Sequence, residues 1–243
     1  MEREEGLARL ADLGFGEEDA QTLWEHFDDA ERRGKASHGH SRIPWLETQV
    51  EFDPKARPVL VERREGFTRW DANGTIGYLA VGNAVSRAIA EPPERAELVV
   101  VERSYPTGML GHHVRRLADA GLVGVLTATS PKRLGPPGGP KLTGTNPLAI
   151  GVPGGVVTDV SMGAVTWGDI VSGFATEDEL VPFGGEQWHK GFALALGLQL
   201  LVDALVRQPG HGAVLLVARP ESDPVPALLE LGIRLPGTGD RRE

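Results

Sequence analysis

The chain has 243 residues, of which 40% are hydrophobic and 24% charged, and its formal net charge is −9. This composition is typical of a globular protein with a substantial core. The excess of negative charge argues against a general role in binding nucleic acid, because an acidic surface repels the phosphate backbone. The sequence contains no cysteine, which excludes disulfides and cysteine-based zinc sites.

The sequence shows neither a secretory signal peptide nor a membrane-spanning helix. The first residues, "MEREEGLARL", are charged and lack the apolar stretch of a secretory signal peptide. The longest apolar run, "FALALGLQLLVDALV", is interrupted by Gln199 and Asp203 and is shorter than the roughly 20 residues that a membrane-spanning helix needs. We therefore expect a cytoplasmic protein whose partners include neither membrane nor nucleic acid.

A first amphipathic helix is predicted in the segment "EEDAQTLWEHFDDAERRG", where apolar residues recur at helical spacing. The acidic start and basic end of this segment suit the helix dipole, and Gly34 is suited to end the helix. The residues on its predicted inner face are Ala20, Leu23, Trp24, Phe27 and Ala30. The polar segment "ASHGHSRIP" therefore begins just past a helix end.

That polar segment carries Ser37, His38 and Arg42. Because Pro44 disfavours helical backbone at Ile43, we expect these side chains on a loop or short turn, where they can face a ligand. One interpretation is a solvated helix end. The other is chemical, since reduction of a 2-oxo acid needs a proton donor such as histidine and a cation such as arginine to hold the carboxylate.

The remaining segments alternate between strand and helix patterns. Two buried strands, "AELVVVERS" and "LVGVLTAT", flank the helical segment "GMLGHHVRRLADAG", which predicts a parallel βαβ unit. The other predicted strands and helices are, in chain order, "RPVLVERR", the helix within "WDANGTIGYLAVGNAVSRAIA", two strands in "LAIGVPGGVVTDVSM", the helix "EQWHKGFALALGLQLLVDAL", the strand "GAVLLVARP" and the helix "DPVPALLELG". The predicted fold class is α/β.

Two further features are candidate ligand sites. The pairs His38/His40 and His112/His113 could bind metal, but neither has the third ligand that a zinc site needs, so we predict no metal site. The helix start "GGEQWHKG" can attract an anion through its free backbone N–H groups and Lys190. In isolation, the simpler interpretation of that segment is a helix N-terminus with a solvent-facing lysine.

Several motifs occur in an order that resembles one known family. They are "SHGHSRIP", "WDANGTIGYLA", "GTNPLAIGVP", "TDVSM", "HKGFALAL" and "RLPG". The sequence is similar to the malate/L-lactate dehydrogenase family of NAD(P)-dependent oxidoreductases, which includes ureidoglycolate dehydrogenase, diketogulonate reductase, sulfolactate dehydrogenase and piperideine-carboxylate reductase. The "WDANGTIG" segment is most like the diketogulonate reductase branch. These enzymes lack the ordinary Rossmann domain, and the G-x-G-x-x-G fingerprint is absent from this sequence too.

The resemblance implies a non-Rossmann α/β fold with an N-terminal helical part and a mixed sheet covered by helices. We expect residues 1–70 and 207–243 to form a substrate-side region, and residues 71–206 to form the cofactor-binding region. The resemblance also implies a homodimer.

The same resemblance implies an activity, namely the reduction by NADH or NADPH of a small 2-oxo acid of diketogulonate-, malate- or lactate-like type, or the reverse oxidation. His38 is the implied proton donor, with Ser37 and Arg42 beside the carboxylate substrate. The implied cofactor-binding residues are Val157, Thr158, Asp159, Val160, Ser161, His189, Lys190, Gly237 and Thr238.

The sequence also departs from the family pattern. The segment "ERSYPTG" stands where the family has an Asn-Ser-x-His motif, with Arg103 at the asparagine and Pro106 at the histidine. Stretches are missing between "WGDIVSGF" and "LVPFGG" and after "LVDALV", and "PGT" replaces the usual "PGE". Two alternatives therefore stay open. One is a cyclic-imine carboxylate reductase, which demands less of a proton donor, and the other is a catalytically degenerate homologue that binds a nucleotide or a partner.

Overall fold

A computed structural model describes residues 1–48, 51–232 and 234–237. The N-terminal part is helical, with α1 over Arg3–Asp12, α2 over Glu17–Arg32, a 3₁₀ turn over Ala36–His38 and α3 over Arg42–Leu46. The apolar face predicted for α2 is buried and packs with α1 and α3 in one hydrophobic cluster. This cluster fixes the segment that carries the predicted substrate-side residues. Ser37 and His38 lie on the 3₁₀ turn, as expected, whereas Arg42 is the first residue of α3 and not part of a loop.

The prediction that Pro44 would keep Ile43 out of a helix is wrong. Both residues lie in α3, with Pro44 at the third position of the helix. A proline is tolerated in the first turn because the N–H groups there have no intrahelical partner. Burial of Ile43 and Leu46 in the N-terminal cluster favours this short helix.

The centre of the fold is a seven-stranded mixed sheet with the order β1-β2-β3-β7-β4-β5-β6. The strands are β1 (Val59–Arg64), β2 (Phe67–Asp71), β3 (Ala96–Glu102), β4 (Val123–Ala128), β5 (Leu148–Val152), β6 (Val156–Val160) and β7 (Ala213–Ala218). The β2–β3 pair is parallel, and the other neighbouring pairs are antiparallel. This confirms the predicted α/β class with a mixed sheet.

The predicted βαβ unit needs a correction. Strands β3 and β4 run in the same direction, but they are not neighbours, because β7 lies between them and is antiparallel to both. The physical reason is that β7, "AVLLVA", is apolar along nearly its whole length and gains most by occupying the middle of the sheet. Local spacing predicts strand directions but cannot show that a strand from the far end of the chain enters between two others.

Helices cover the sheet and build the core. Helices α4 (Gly77–Ala90) and α5 (Leu110–Asp119) pack on one face, where their apolar residues form the largest hydrophobic cluster with the sheet. Helix α7 (Trp188–Leu205) packs against β4 and β7 and contributes to a separate cluster. The two remaining α-helices are short, namely α6 (Trp167–Val171) and α8 (Val225–Leu229). Among the described residues, no helix is both long and apolar enough to cross a membrane.

The predicted division into two regions does not coincide with a boundary of the sheet. Strand β1 lies within residues 1–70 and β7 within 207–243, whereas β3 to β6 lie within 71–206. The division therefore stays a prediction about which parts of the chain face the substrate and which face the cofactor.

Candidate active site

Two adjoining cavities lie where the N-terminal helices meet the sheet. The first has a volume of about 180 Å³, and its lining includes Ser37, His38 and Arg42. The second has a volume of about 470 Å³ and is lined by residues 157–160 and by Gly237, among others. Both cavities are lined by Lys35, Met109 and Asp159. The structure thus brings the predicted substrate-side residues next to most of the predicted cofactor-binding residues.

The imidazole of His38 is held by Ser37. Ser37 Oγ lies 3.1 Å from His38 Nδ1, and the same hydroxyl hydrogen-bonds the carboxylate of Asp169. Burial, together with the nearby charge of Arg42, lowers the pKa of His38 to about 3. Although burial alone would raise it, hydrogen bonds from Ser37 and Thr166 keep the pKa of Asp169 below its ordinary value. A neutral imidazole beside an ionised carboxylate is therefore the state of this site at neutral pH.

Arg42 is buried with its guanidinium at the first cavity. Its Nε donates to the Ser37 carbonyl oxygen at 2.7 Å, and the guanidinium lies over the Trp45 ring at 4.8 Å. A Cβ atom at Gly168 would overlap Arg42 Nη2 and would lie 2.9 Å from the Ser37 carbonyl oxygen and 3.0 Å from His38 Cε1. The absence of a Cβ at the start of α6 therefore makes room for the side chains of Arg42 and His38 and for the Ser37 carbonyl.

The loop at residues 103–109 forms another wall of the first cavity, where Pro106 occupies the position at which the family pattern has histidine. This loop packs so closely on α4 that a Cβ at Gly77 would lie 2.7 Å from the Pro106 carbonyl oxygen. Met109 N–H donates to Nε2 of the buried His26 at 3.0 Å, so helix α2 also holds the loop. Pro106 offers no proton, and the cavity must use other groups for acid–base chemistry.

Sequence analysis did not identify His26, which lies with His112 and His113 behind this loop. The ring centroid of His26 lies 4.5 Å from that of His112 and 5.1 Å from that of His113. Burial lowers the pKa of His26 and of His113 well below the ordinary range. The available signal was spacing, because His26 lies three residues after Leu23 and four before Ala30 on the buried face of α2. None of the three histidines lines either cavity.

Asp159 lies between the two cavities. Its Oδ2 accepts a hydrogen bond from Gly111 N–H at 2.8 Å, at the start of α5. Burial raises the pKa of this carboxyl group, and the hydrogen bond from Gly111 partly opposes that shift. Asp159 is therefore a second titratable side chain at the site, beside His38, and burial favours its protonated form.

The second cavity is lined by more cations than carboxylates. Its basic lining residues are Arg33, Lys35, Arg115 and Arg234. Arg33 is engaged by Asp29, to which its Nε donates at 2.7 Å. The Nε atom of Arg115 is buried and has no hydrogen-bonding partner among the described residues. In a chain of net charge −9, this local excess of positive charge suits an anionic ligand.

The remaining predicted cofactor residues divide into three cases. Ser161 lines the first cavity rather than the second. His189 and Lys190 are exposed at the start of α7 and line neither cavity, so their contact with a cofactor stays a prediction. Gly237 lines the second cavity with a φ of 81°, close against Val157, and Thr238 lies outside the described residues.

The second cavity has the size and charge of a site for a phosphorylated ligand. It falls within the range of about 300–1,000 Å³ that is usual for ligand pockets. The unpartnered Nε of Arg115 lines it, and it shares Lys35, Met109 and Asp159 with the cavity of His38. Within the described part of the chain, no group of three or more metal-ligating side chains is placed to hold an ion.

Comparison with known proteins agrees with this geometry. The chain is similar to a (2R)-3-sulfolactate dehydrogenase (NADP(+)) of Chromohalobacter salexigens, with 34% identity over 139 residues. The matched residues make up 55% of this chain and 41% of that protein. The matched stretch thus spans less than half the length of that relative.

Two solved structures resemble the whole chain. The Δ1-piperideine-2-carboxylate reductase of Pseudomonas syringae pv. tomato superposes with a TM-score of 0.81 at 27% identity, over 97% of this chain and 89% of that one. A dehydrogenase from Sinorhizobium meliloti superposes with a TM-score of 0.80 at 27% identity, over 94% and 81% of the two chains. The sequence profile of the malate/L-lactate dehydrogenase family matches residues 4–175. The chain belongs to the malate/L-lactate dehydrogenase family.

Proposed function

We propose that the protein is an NAD(P)H-dependent oxidoreductase that reduces a small 2-oxo acid to the 2-hydroxy acid, or catalyses the reverse oxidation. The observation that carries this proposal is that Ser37, His38 and Arg42 line one cavity, which adjoins a basic second cavity across Asp159. The family relationship supports it, since the named relatives are dehydrogenases and a reductase.

The roles of the side chains follow from their positions. A reduced nicotinamide, when bound, supplies a hydride to the carbonyl carbon, and a proton must reach the carbonyl oxygen. Arg42 has guanidinium N–H groups free to bind the substrate carboxylate, because only its Nε is engaged by Ser37. His38 lies beside that arginine, within the same cavity, and exchanges the proton.

The pKa of His38 determines whether the ring more readily accepts or donates a proton at neutral pH. At a pKa of about 3 the ring is neutral at pH 7, which suits acceptance of the proton in hydroxy-acid oxidation. For 2-oxo-acid reduction the ring must first gain a proton, and an anionic substrate beside it favours that gain. Asp159, whose pKa is raised by burial, is the other group at the cavity that can supply the proton.

We infer that NADPH is the preferred cofactor. The additional phosphate of NADPH carries about two negative charges. Arg115 and Arg234 line the second cavity, and neither forms an ion pair with a carboxylate among the described residues. The curated relative from Chromohalobacter salexigens is named for NADP(+), which supports the same preference.

We also propose a homodimer formed through an exposed apolar face. Leu98, Leu216, Val125 and Ile150 are register partners on β3, β7, β4 and β5, and form one row across the sheet. Leu216 is 41% exposed and alternates with the buried Leu215 and Val217. Such a continuous apolar row favours a second copy of the chain as its cover.

A cyclic-imine carboxylate reductase is the second candidate on the same site. It is favoured by Pro106, because an imine nitrogen can be protonated before hydride transfer and the site then needs less from a histidine. The third candidate is a catalytically degenerate homologue that binds a nucleotide or a partner. The test is to titrate NADPH and NADH by nicotinamide fluorescence, then to follow absorbance with a panel of 2-oxo acids and cyclic imines. Turnover of 2-oxo acids supports the first function, turnover of imines alone the second, and cofactor binding without any turnover the third.

A further inference from the structure

Arg133 brings a second guanidinium to the first cavity. Its central carbon lies 3.6 Å from the centroid of the Trp167 ring, and both residues line the cavity. Among the described residues, no carboxylate forms an ion pair with Arg133. A guanidinium that stacks on an aromatic face keeps its edge N–H groups free, and these can receive an anion.

The position of Arg133 relative to Arg42 follows from α6. Trp167, which supports Arg133, is followed directly by Gly168, whose absent Cβ makes room for Arg42. Adjacent Cα atoms are only about 3.8 Å apart. Both guanidiniums therefore border the first turn of α6 while facing one small cavity, so a single ligand can contact both.

The two carboxylates at this cavity are hydrogen-bonded to other groups, and within the described residues they form no ion pair with Arg42 or Arg133. The cationic lining residues are Lys35, Arg42 and Arg133, against two carboxylates. Asp169 is occupied by Ser37 and Thr166, and Asp159 accepts from Gly111 while burial raises its pKa. One substrate carboxylate satisfies Arg42 and leaves Arg133 without an anion.

We propose that Arg133, supported by Trp167, is a specificity-determining residue that binds a second anionic group, a carboxylate or a sulfonate, at the end of the substrate remote from Arg42. The substrate is accordingly a dianionic 2-oxo acid rather than a monocarboxylate. This inference rests on the proposed function for the identity of the reacting group, but the anion preference itself is a binding property.

The test compares ligands that differ only in the second anion. Binding of malate and of lactate is measured by calorimetry in the presence of NADPH, a combination that cannot turn over, and 3-sulfolactate replaces malate to distinguish sulfonate from carboxylate. Arg133→Gln removes the proposed contact. Lys132→Gln is the matched control, because it removes one positive charge from the adjacent, exposed residue, which does not line the cavity.

The wild-type protein is expected to bind at least one of the dianions about 10- to 100-fold more tightly than lactate. Arg133→Gln should bring that ratio close to one while lactate affinity stays the same, and Lys132→Gln should leave the ratio unchanged. Equal binding of malate, 3-sulfolactate and lactate by the wild type, an unchanged ratio in Arg133→Gln, or no binding of any of the three would overturn the inference.

Two further measurements keep the outcome interpretable. If circular dichroism shows that Arg133→Gln does not fold, Arg133→Met replaces it, because methionine keeps an unbranched apolar stem on the Trp167 ring and removes the charge. An unchanged ratio in that variant also overturns the inference. Turnover of oxaloacetate, 3-sulfopyruvate and pyruvate is measured separately. A dianion preference without turnover of any 2-oxo acid supports the role of Arg133 and refutes the proposed reaction. Turnover of 2-oxo acids without a dianion preference supports the proposed reaction and refutes the role of Arg133.

Discussion

The hydroxyl of Ser37 joins the ring of His38 to a carboxylate, with Ser37 Oγ lying 3.1 Å from His38 Nδ1. The same hydroxyl favours the ionised form of Asp169 by hydrogen bonding, which lowers the pKa of that carboxyl group. Burial lowers the pKa of His38 to about 3, so the ring is neutral at neutral pH and one of its nitrogens carries a lone pair. Nε2 has no hydrogen-bonding partner among the described residues. A neutral imidazole with an unengaged ring nitrogen can take a proton from a substrate hydroxyl.

The pH dependence of hydroxy-acid oxidation follows from this arrangement. The pKa of His38 lies at about 3, below its ordinary value of 6.5, so the ring stays neutral until the pH falls toward 3. Since oxidation uses the neutral ring, kcat/KM should show no break due to His38 between about pH 5 and pH 8. A profile of kcat/KM in the wild type and in His38→Ala checks this. A wild-type break near pH 6.5 that disappears in the variant would contradict the low pKa.

Gly168→Ala should damage the site although it replaces no charged side chain. The new Cβ would overlap Arg42 Nη2 and press on His38 Cε1, which shifts both side chains. Overpacking of this kind costs about 1–3 kcal/mol of stability, and we expect KM for the 2-oxo acid to rise with it. Gly82→Ala on α4 is the control, because its Cβ would have only ordinary contacts, at 3.9 Å with Arg116 Nη1 and 4.0 Å with His113 Cε1. Equal kinetics for both variants would argue against the close packing at α6.

Removal of Arg115 should change which cofactor binds. Its Nε is buried without a partner at the second cavity, so a phosphate there would gain a charge-assisted contact. Arg115→Gln is expected to weaken NADPH binding by about 1.5–3 kcal/mol and to leave NADH binding nearly unchanged. Fluorescence titration with both cofactors measures this. Arg32→Gln serves as the control, because Arg32 is exposed and pairs with Asp28 outside the cavity. Equal losses of affinity for NADPH and NADH would show that Arg115 does not bind the additional phosphate of NADPH.

The proposed dimer can be tested on the sheet. Leu216→Asp places a charge in the middle of the exposed apolar row and should shift the mass measured by light scattering from dimer to monomer. Val61→Asp introduces the same charge on β1, at a residue that is 52% exposed and lies outside the row. It should leave the mass unchanged. A monomeric wild type at micromolar concentration would refute the proposal.

Most of the secondary structure could be predicted from the sequence, because apolar spacing is a local property. Helix α2, strand β4 and helix α7 all lie where periodicity and apolar runs indicate them. The central position of β7 could not be predicted, since it depends on pairing with strands more than 80 residues away. The short β2 was also missed, because its five residues end in the turn-forming Asp71 and are followed by Asn73 and Gly74, which hide the end of the strand.

From residue chemistry alone, the candidate site was predictable only where it is contiguous in sequence, and the distant residues that line the second cavity were expected only from the family resemblance. Ser37, His38 and Arg42 share one segment whose chemistry points to a 2-oxo acid, and the structure places all three at one cavity. Arg133 and Asp169 come from distant segments, and their only link to that site is the tertiary fold. Neither has a local pattern that distinguishes it from a solvent-exposed charge.

The central claim is that the cavity of Ser37, His38 and Arg42 carries out nicotinamide-dependent reduction of a 2-oxo acid. The most direct measurement is the oxidation of NADPH at saturating 2-oxo acid, by the wild type and by His38→Ala, with circular dichroism to confirm that both fold. We predict turnover by the wild type and a kcat lower by roughly 100- to 10,000-fold in the variant, the usual contribution of a positioned acid–base group. Wild-type turnover that His38→Ala retains in full, or NADPH bound but never oxidised across the panel of 2-oxo acids, would contradict the account.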